Sequence, residues 1–493
     1  MRTKIIFAAI AALMFAACNS EIEKPSIVIG DQTPLDVDAS KAISKNNRII
    51  YELNLYNFTQ EGTFKAAEAL LPDLQKLGVD IIWLMPVYAR CQNEQKIDEV
   101  GSPYSVQNFL ALNPDFGTMD DLKAFISTAH SLGIKIWFDW VANHTSTDNV
   151  WVTAHPDYYI QKDGKPDIVR NADGGEIYPD VYQLDFANAQ MCKDMIDAMK
   201  YWVTECGIDG YRFDYVSSWR IVTTDFWGEA LKALHELKPD IETIAEADLS
   251  DSSNQKLIAL QPGFDYDFMM GMQGTIRELG KADAVSGLQN KAEGVYSSTL
   301  FDNMSRMFYI TDHDDYNGTQ TTYSALLGEG NYAPLDVLSF TFYGMPLLYN
   351  GQEIGYPKVE SFFSRKPIDR TLADKRIQNT VRTLAYLRHT CPALADGKAS
   401  ERATMKMLQT NPAATSMAYL KEKDGQTILV VLNFGKEQSV YTYMTPEGEY
   451  TQVLDSRTIS EGPSQRDVTI TGAPKGVCEF PMDKKGYAVY IKK

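Results

Sequence analysis

Four short segments, each ending a stretch with β-strand character, carry most of the side chains in this chain that could do chemistry. They read FDWVANH, ending at His144, GYRFD, ending at Asp214, IAEAD, ending at Asp248, and YITDHDD, ending at Asp315. Amphipathic helical patterns, such as the one at 64–77, alternate with the strands, and this rhythm predicts a parallel sheet. A parallel α/β barrel gathers the carboxyl ends of separate strands at one face, so this fold would bring the four segments into one pocket.

Asp214 and Glu246 are the two carboxylates that the sequence favours as a reacting pair. Cleavage of a glycosidic bond needs one group that protonates the departing oxygen and another that meets the oxocarbenium-like carbon. Arg212 lies two residues before Asp214 on the same side of the strand, and its guanidinium would keep a nucleophilic carboxylate ionised. Glu246 has no cation beside it in the sequence, so burial would raise its pKa and suit it to acid/base work. An isolated Arg-x-Asp pair is more often structural.

Taken in order, the four segments resemble those of the α-amylase family of retaining glycoside hydrolases (glycoside hydrolase family 13), and the resemblance runs from about residue 48 to the end. It implies that Asp214 is the nucleophile, Glu246 the general acid/base, and Asp314 a third carboxylate that grips sugar hydroxyls. It assigns five further residues to the cleavage subsite: His144 and His313 as sugar hydrogen-bonding groups, Arg212 and Asp139 as the pair that positions the nucleophile, and Tyr104 as the stacking aromatic. A structural role is the alternative for either histidine taken alone.

Three departures from the family pattern bear on specificity. Residues 215–218 read Tyr-Val-Ser-Ser, where many members have a Lys-His pair on the leaving-group side. Asp312 stands where the family usually has Asn. Asp248 lies two positions after Glu246, where the family often has an aromatic or another residue. All three are compatible with hydrolysis, but they leave the linkage and the acceptor side open.

The predicted function is hydrolysis of α-1,4-glucosidic bonds in starch-like glucans and maltooligosaccharides by double displacement, as in an α-amylase. One alternative keeps the chemistry but changes the specificity: an exo-acting α-glucosidase, a 1,6-cleaving enzyme or a transglycosylase. Another alternative, from a different class, is a lipid-anchored glucan-binding protein that has lost catalysis. The presence of Asp214, Glu246 and Asp314 argues against this loss of catalysis.

The resemblance also predicts the domain layout. It implies a (β/α)8 TIM barrel over 46–395, a short domain B after strand 3 at about 145–185, and a C-terminal antiparallel β-sandwich over 396–493. Helical and strand periodicity fails between His144 and Asp185, and short alternating strands separated by turn residues begin near Ser416, which favours the same division.

Metal binding is the least specified part of this prediction. Asn143 matches the position at which the family often ligates a structural calcium ion between barrel and domain B. A hard cation needs about six oxygens, and an Asn that only hydrogen-bonds its loop is the alternative. The sequence contains no Gly-rich phosphate loop and no HExxH motif, so no organic cofactor is expected.

The N-terminus has the pattern of a bacterial export signal. Arg2 and Lys4 precede an apolar stretch at 5–17, which is too short to span a membrane as a mature helix but suits a signal peptide. The stretch ends in Phe-Ala-Ala-Cys, which resembles a lipobox, so residues 1–18 are predicted to be a lipoprotein signal with Cys18 as the lipidated residue. A plain secretory signal is the alternative. Residues 19–45 are polar and are predicted to be a flexible tether to a bacterial membrane, on its periplasmic or cell-surface side.

Composition limits the possible partners. The formal net charge of −18 would repel nucleic acid and anionic lipid, whereas a neutral α-glucan is indifferent to it. At 493 residues with 44% hydrophobic content, the chain can form a barrel core and a second, smaller core. The five cysteines after Cys18 are an odd number at irregular spacing, which favours buried free thiols. We expect a monomer.

Overall fold

Eight parallel strands close into a barrel in chain order. The computed structural model describes residues 26–39, 42–92, 100–279, 284–296, 299–315, 321–472 and 476–493. The barrel strands are β1 (Ile50–Leu53), β2 (Ile81–Leu84), β3 (Lys135–Val141), β4 (Gly210–Asp214), β5 (Glu242–Ala245), β6 (Tyr266–Phe268), β7 (Ser305–Phe308) and β8 (Met345–Tyr349). The predicted (β/α)8 barrel is confirmed.

The barrel strands are apolar because both of their faces are buried. Side chains inside the barrel form one cluster, which includes Trp83, Trp137, Ile244 and Phe268, while the outward-facing side chains pack under the helices. Gly210, at the start of β4, has no side chain because a Cβ there would lie 2.5 Å from the indole of Trp137. The interior is therefore a packed core rather than a pore.

The helices that cover the barrel follow the strands in the expected alternation. Their bounds are Leu55–Phe58, Phe64–Glu68, Leu71–Leu77, Met119–Ser131, Ala189–Cys206, Trp219–Val222, Phe226–Leu237, Met270–Ile276, Ala284–Tyr296, Tyr323–Leu327, Tyr332–Thr341 and Lys375–Thr390. The predicted helix at 64–77 is two helices, and Pro72 lies in the first turn of the second, where its missing N–H is tolerated. The helix before β3 starts with a capping box formed by Thr118 and Asp121.

Domain B leaves the barrel after β3 and is more regular than its sequence pattern indicates. Strand Glu176–Gln183 lies between His144–Ser146 and Ile168–Arg170 in a three-stranded antiparallel sheet. A short helix at Val150–Ala154 and a hairpin of Gln161–Lys162 with Lys165–Pro166 complete it. This sheet begins three residues beyond the end of β3, so domain B forms a wall beside the carboxyl ends of the barrel strands.

The C-terminal region is an antiparallel β-sandwich, as predicted. Its larger sheet contains Thr404–Leu408, Ser416–Lys423, Gln426–Asn433, Tyr487–Lys492, Gly448–Asp455 and Ser464–Thr471. The smaller sheet contains Thr410–Asn411, Ser439–Tyr443 and Val477–Pro481. Side chains from both sheets, among them Val431, Val440 and Phe480, form one core between them.

The structure differs from the prediction in part of the tether predicted for 19–45. Strand Ser26–Ile29 pairs with 468–471, and Thr33–Pro34 pairs with 464–465, so both add to the edge of the larger C-terminal sheet. A polar sequence with two prolines was compatible with edge strands, which need only main-chain hydrogen bonds and one covered face. Residues 1–25, which include the predicted signal peptide and Cys18, lie outside the described residues.

Two further observations concern the predicted location and redox state. No helix in the part of the chain that the structure describes is long and apolar enough to cross a membrane. The five cysteines after Cys18 are buried thiols that form no disulfide, as predicted: Cys91, Cys192, Cys206, Cys391 and Cys478.

Candidate active site

One pocket at the carboxyl end of the barrel brings six of the predicted site residues together. It has a volume of about 240 Å³. Its lining consists of Ser102, Tyr104, His144, Tyr178, Asp180, Val181, Asp214, Tyr215, Glu246, His313, Asp314, Phe362 and Phe363. Asp214 ends β4 and Glu246 directly follows β5, so neighbouring parallel strands deliver the two carboxylates side by side.

Arg212 links three carboxylates beneath the pocket. Its Nη1 donates to Asp139 Oδ1 at 2.8 Å and to Asp214 Oδ1 at 3.1 Å, and its Nη2 contacts Glu246 Oε1 at 2.9 Å. The guanidinium is completely buried. Glu246 therefore does have an adjacent cation, although none lies beside it in the sequence. The cation comes from the neighbouring strand in space rather than from neighbouring positions in the sequence, because Arg212 aligns with Ile244 in the β4–β5 ladder.

The two candidate catalytic carboxylates have different affinities for protons. Burial raises the pKa of Glu246 to about 7, opposed by Arg212 and reinforced by Asp214 and Asp314. Burial also raises the pKa of Asp214, to about 6, although the charge of Arg212 lowers it. Arg212 thus acts in the expected direction but does not outweigh burial. Near neutral pH, Asp214 is mostly ionised while Glu246 is partly protonated, which is the order that a nucleophile and a general acid require.

The backbone after Asp214 also holds Glu246. The N–H of Tyr215 donates to Glu246 Oε2 at 2.6 Å. Tyr215 has a φ of 44°, a left-handed conformation that is uncommon for a residue other than glycine. Such strain persists where the surrounding structure enforces it, and here it turns the N–H toward the acid/base carboxylate.

Asp139 lies below the pocket rather than in it. Its Oδ2 accepts hydrogen bonds from Tyr104 Oη at 2.9 Å and Trp83 Nε1 at 3.1 Å, and its Oδ1 accepts from Arg212. The side chain is fully buried, and burial raises its pKa to about 6. Asp139 is therefore placed to orient Arg212 and Tyr104 and does not line the pocket.

The two predicted histidines both line the pocket, in different charge states. Burial lowers the pKa of His144 to about 4, so its imidazole is neutral; Nε2 lies 3.2 Å from the carbonyl oxygen of Tyr104 and Nδ1 lies 3.2 Å from Asn143 Nδ2. Burial would lower the pKa of His313 as well, but the carboxylates of Asp314 and Glu52 outweigh it and raise the pKa well above its usual value. His144 is thus a neutral hydrogen-bonding group and His313 a cation.

Asp314 is the most accessible of the three predicted carboxylates. Its side chain is 60% exposed at the mouth of the pocket, and its Oδ1 lies 3.3 Å from His313 Nε2. A carboxylate in this position can accept hydrogen bonds from sugar hydroxyls that enter from solvent. Its neighbour Asp312, where the family usually has Asn, is buried, and burial raises its pKa well above the usual value.

Sequence reasoning missed several pocket residues. Tyr178 and Asp180 come from the central strand of domain B, and Phe362 and Phe363 come from the long connection after β8. Neither segment has a periodic pattern that indicates which side chains face inward. Glu52, which lies outside the pocket lining, could have been identified from the sequence. A charged residue inside the apolar strand Ile50–Leu53 must have a buried partner.

A second cavity adjoins the first on the far side of Glu246. It has a volume of about 600 Å³ and shares Tyr215 and Glu246 with the smaller pocket. Ser217, from the segment that replaces the family's Lys-His pair, lies in its wall. Asp248 also lines it, but Arg306 Nη2 donates to Asp248 Oδ1 at 2.6 Å, so this carboxylate is held by an ion pair.

The residues around Asn143 do not fit the predicted calcium ion. Gln183 Nε2 donates to the Asn143 carbonyl at 2.9 Å, to Asn143 Oδ1 at 3.3 Å and to the Leu184 carbonyl at 3.1 Å. An amide N–H₂ group therefore occupies the point on which these oxygens converge, where a cation would need open oxygen ligands. Within the described residues, no group of three or more His, Cys, Asp or Glu side chains is placed to hold a metal.

Comparisons with family models agree with this architecture. The model described as the α-amylase catalytic domain matches residues 44–444, and the model of the α-amylase C-terminal all-β domain matches residues 409–480. These matches span both the barrel and most of the sandwich.

Individual relatives give the same result. The chain is 29% identical to the α-amylase MalA of Haloarcula japonica over 454 residues, covering 88% of this chain and 62% of that protein. It is 26% identical to a cyclomaltodextrinase of Bacillus sp over 74% of this chain and 64% of that protein. The chain thus spans somewhat less than two thirds of the length of these relatives. The α-amylase structure from Geobacillus thermoleovorans superposes with a TM-score of 0.71 at 20% identity, over 91% of this chain and 98% of that one, and so shares the fold.

Proposed function

We propose, from the premise that this chain belongs to the α-amylase family, that it hydrolyses α-1,4-glucosidic bonds in starch-like glucans and maltooligosaccharides with retention of configuration. One observation carries the proposal. Asp214 and Glu246 approach a single pocket from adjacent strands and are held on the two terminal nitrogens of the same guanidinium. Retaining and inverting glycosidases both use two carboxyls, about 5–5.5 Å apart for double displacement and about 6.5–9.5 Å apart for inversion, and attachment to one guanidinium favours the shorter separation.

In the first step, Asp214 attacks the anomeric carbon while Glu246 transfers its proton to the glycosidic oxygen, and the sugar becomes covalently bound to Asp214. In the second step, the ionised Glu246 takes a proton from water, whose oxygen attacks the same carbon and releases both the product and Asp214. The raised pKa of Glu246 supports both roles, because the group gains and loses a proton near neutral pH.

The two adjoining cavities support cutting inside a glucan chain. Tyr215 and Glu246 line both cavities, so a substrate could place sugars on each side of the group that protonates the scissile oxygen. An exo-acting α-glucosidase, a 1,6-cleaving enzyme or a transglycosylase would use the same carboxylates. The smaller pocket has Tyr178 and Phe362 in its wall. A wall that closes one end of the substrate site would favour these alternatives.

The test follows product lengths and anomers by NMR while the chain from Asn19 onward acts on maltoheptaose, pullulan or isomaltose. Internal cuts of maltoheptaose that release α-anomers support the proposal. Glucose as the only product would support the exo-acting alternative, and cleavage of isomaltose would support the 1,6-acting alternative. Release of β-anomers would contradict retention of configuration, and binding without turnover would indicate a glucan-binding protein that has lost catalysis.

A second experiment separates the two carboxylates. Fluoride leaves without needing a proton, so α-maltosyl fluoride should still react with the Glu246→Gln variant and release a burst of about one fluoride per enzyme, because the second step lacks its base. Asp214→Asn should release none. The control is Asp240→Asn, since Asp240 is exposed at the opposite end of β5. A burst from Asp214→Asn would contradict the assignment of the nucleophile.

The proposal for location rests on the sequence of residues 1–18. We propose that the chain is exported and anchored through a lipid on Cys18, on the periplasmic or cell-surface side of a bacterial membrane. Expression in a bacterial host with labelled palmitate tests this: label should be incorporated and the protein should partition into detergent, whereas Cys18→Ser should do neither. Unlabelled, membrane-free protein would support the plain secretory signal. Size-exclusion chromatography with light scattering tests whether the chain is a monomer.

A further inference from the structure

Glu52 is a fully buried carboxylate in the wall of the barrel, outside the set of residues that the proposed reaction uses. It lies in β1 with Tyr51 and Leu53 on either side. A buried charge without compensation costs several kcal/mol. A carboxylate at this position therefore needs a specific partner.

The partner is the imidazole of His313. Glu52 Oε1 lies 2.5 Å from His313 Nδ1, while Glu52 Oε2 is buried without a hydrogen-bond partner. The carboxylate is thus directed at one imidazole nitrogen. Because the carboxylate accepts, the proton of that hydrogen bond lies on Nδ1, and this leaves Nε2 to face Asp314 at 3.3 Å.

Three aromatic rings fix the plane of this imidazole. Tyr104 stacks on it with a centroid distance of 5.1 Å and an interplanar angle of 16°. Trp83 and Phe362 meet it edge-on at 6.0 and 5.4 Å. The ring therefore has little freedom to turn, and Nε2 points to the edge of the pocket where Asp314 is exposed.

We propose that Glu52 is a positioning residue that keeps His313 doubly protonated, so that Nε2–H serves as a charged donor at the sugar pocket. This role rests on the proposed function, in which the pocket holds a sugar. A charged donor forms a hydrogen bond to a hydroxyl that is roughly twice as strong as the bond from a neutral donor. His144, whose imidazole is neutral, does not supply such a bond on its side of the pocket.

The surrounding charges favour the doubly protonated form. His313 faces the carboxylates of Glu52, Asp314 and Asp312, and these oppose the effect of burial. Arg212 faces Glu52 and helps to keep it ionised, although burial raises its pKa. Replacing Glu52 by Gln removes one of the carboxylates but keeps the shape of the side chain, so the pKa of His313 should fall.

The test observes His313 directly in protein labelled with ¹⁵N-histidine, without substrate. With six histidines in the chain, the signal of His313 is assigned by its loss in His313→Gln. In the wild type, both ring nitrogens should stay protonated well above the pH at which an ordinary histidine loses its proton. In Glu52→Gln, one nitrogen should lose its proton at a pH at least one unit lower. Relative to the wild type at the same pH, the kcat/KM of Glu52→Gln for maltoheptaose should be about tenfold lower at pH 7.5 and closer to the wild-type value at pH 5.5, where His313 is protonated again.

The matched control is Glu353→Gln. Glu353 is also a buried carboxylate near β1, but it accepts a hydrogen bond from Tyr51 Oη at 3.0 Å and lies outside the pocket. A general loss of stability would affect both variants, whereas only Glu52→Gln should change the titration of His313. If Glu52→Gln does not fold, Glu52→Asp, which withdraws the carboxylate by one methylene, should lower the pKa of His313 by a smaller amount.

The possible outcomes separate this inference from the proposed function. A neutral His313 in the wild type at pH 7, or an unchanged titration in both Glu52 variants, would overturn the role of Glu52. Absence of turnover with every glucan would overturn the proposed function, while a shifted titration in the same samples would still support control of His313 by Glu52.

Discussion

Arg212 and Glu246 form an ion pair of 2.9 Å across the neighbouring strands β4 and β5. The ion pair favours the charged form of Glu246, whereas burial favours the neutral form and prevails. The proton affinity of the candidate acid/base is therefore a balance of two large opposing effects. Substitutions that leave Glu246 in place but alter this balance should change activity through its pKa.

Removal of the shared cation is the first prediction. In Arg212→Met, the pKa values of Asp214 and Glu246 should both rise, because burial remains and its main opponent is gone. The kcat/KM at pH 7 should fall at least 10³-fold, and the free energy of unfolding by about 3–5 kcal/mol, because buried carboxylates lose their partner. The measurements are kcat/KM from pH 5 to 9 and urea unfolding. An unchanged pH profile would contradict this account.

The pH dependence of the wild type is the second prediction. The nucleophile must be ionised and the acid protonated, so kcat/KM for maltoheptaose should rise through a pKa of about 6 and fall through a pKa of about 7. Since the two carboxyls interact, these limbs belong to the pair. The optimum should therefore be narrow and lie between them. A plateau extending to pH 9 would show that Glu246 does not titrate as the acid.

The third prediction concerns stability at the site. Burial raises the pKa of Asp214 from 3.8 to about 6, so the folded state binds more protons than the unfolded state between these values. The contribution of Asp214 to stability is therefore lost as pH rises through this window, and the buried charge destabilises the fold above it. Asp214→Asn should raise Tm at pH 8 but not at pH 4. Calorimetry at both pH values, with Asp240→Asn as the exposed control, provides the check.

The sequence predicted those parts of the site that depend on neighbouring positions along a strand. Arg212 and Asp214 share one side of β4, and the strand ends meet because the alternation of strands and helices implies a barrel. The contact of Arg212 with Glu246 could not be read from spacing, because it depends on the register of two strands 32 residues apart. The same reason hides the pairing of Glu52 with His313.

The pairing of residues 26–34 with the edge of the C-terminal sheet could not be predicted from the sequence pattern either. Residues 26–34 read as a tether, because the strand that they join, Ser464–Thr471, lies more than 400 residues later. The strand pairing itself is made by main-chain hydrogen bonds, which leave little trace in side-chain identity. The side-chain bonds that accompany it, such as Ser26 Oγ to Thr471 Oγ1 at 2.7 Å and Gln32 Nε2 to Ser464 Oγ at 2.9 Å, come from polar residues that suit a tether equally well. The inward side chains of domain B were hidden for a related reason, since its short strands show no periodicity.

The fourth prediction tests the wall that domain B provides. Tyr178 lies with its ring centroid 5.9 Å from that of His144 and 6.3 Å from that of Tyr215, and it is 43% exposed. An aromatic contact contributes about 0.5–1.5 kcal/mol beyond its buried area, so Tyr178→Ala should raise KM for maltoheptaose about fivefold. Thermal unfolding should change little, because the side chain is partly exposed. Tyr441→Ala, in the C-terminal sandwich, is the control and should leave KM unchanged.

The last prediction concerns calcium, through Gln183. Its amide donates to the Asn143 carbonyl, Asn143 Oδ1 and the Leu184 carbonyl, so the junction between β3 and domain B is closed without a cation. Wild-type Tm should be the same in EDTA and in calcium chloride. Gln183→Glu replaces the donor by a fourth oxygen, which repels the other three unless a cation joins them. This variant should unfold at a lower temperature in EDTA and regain stability with calcium, whereas Gln183→Leu should be destabilised under both conditions. A fall of wild-type Tm in EDTA would mean that a metal stabilises the fold.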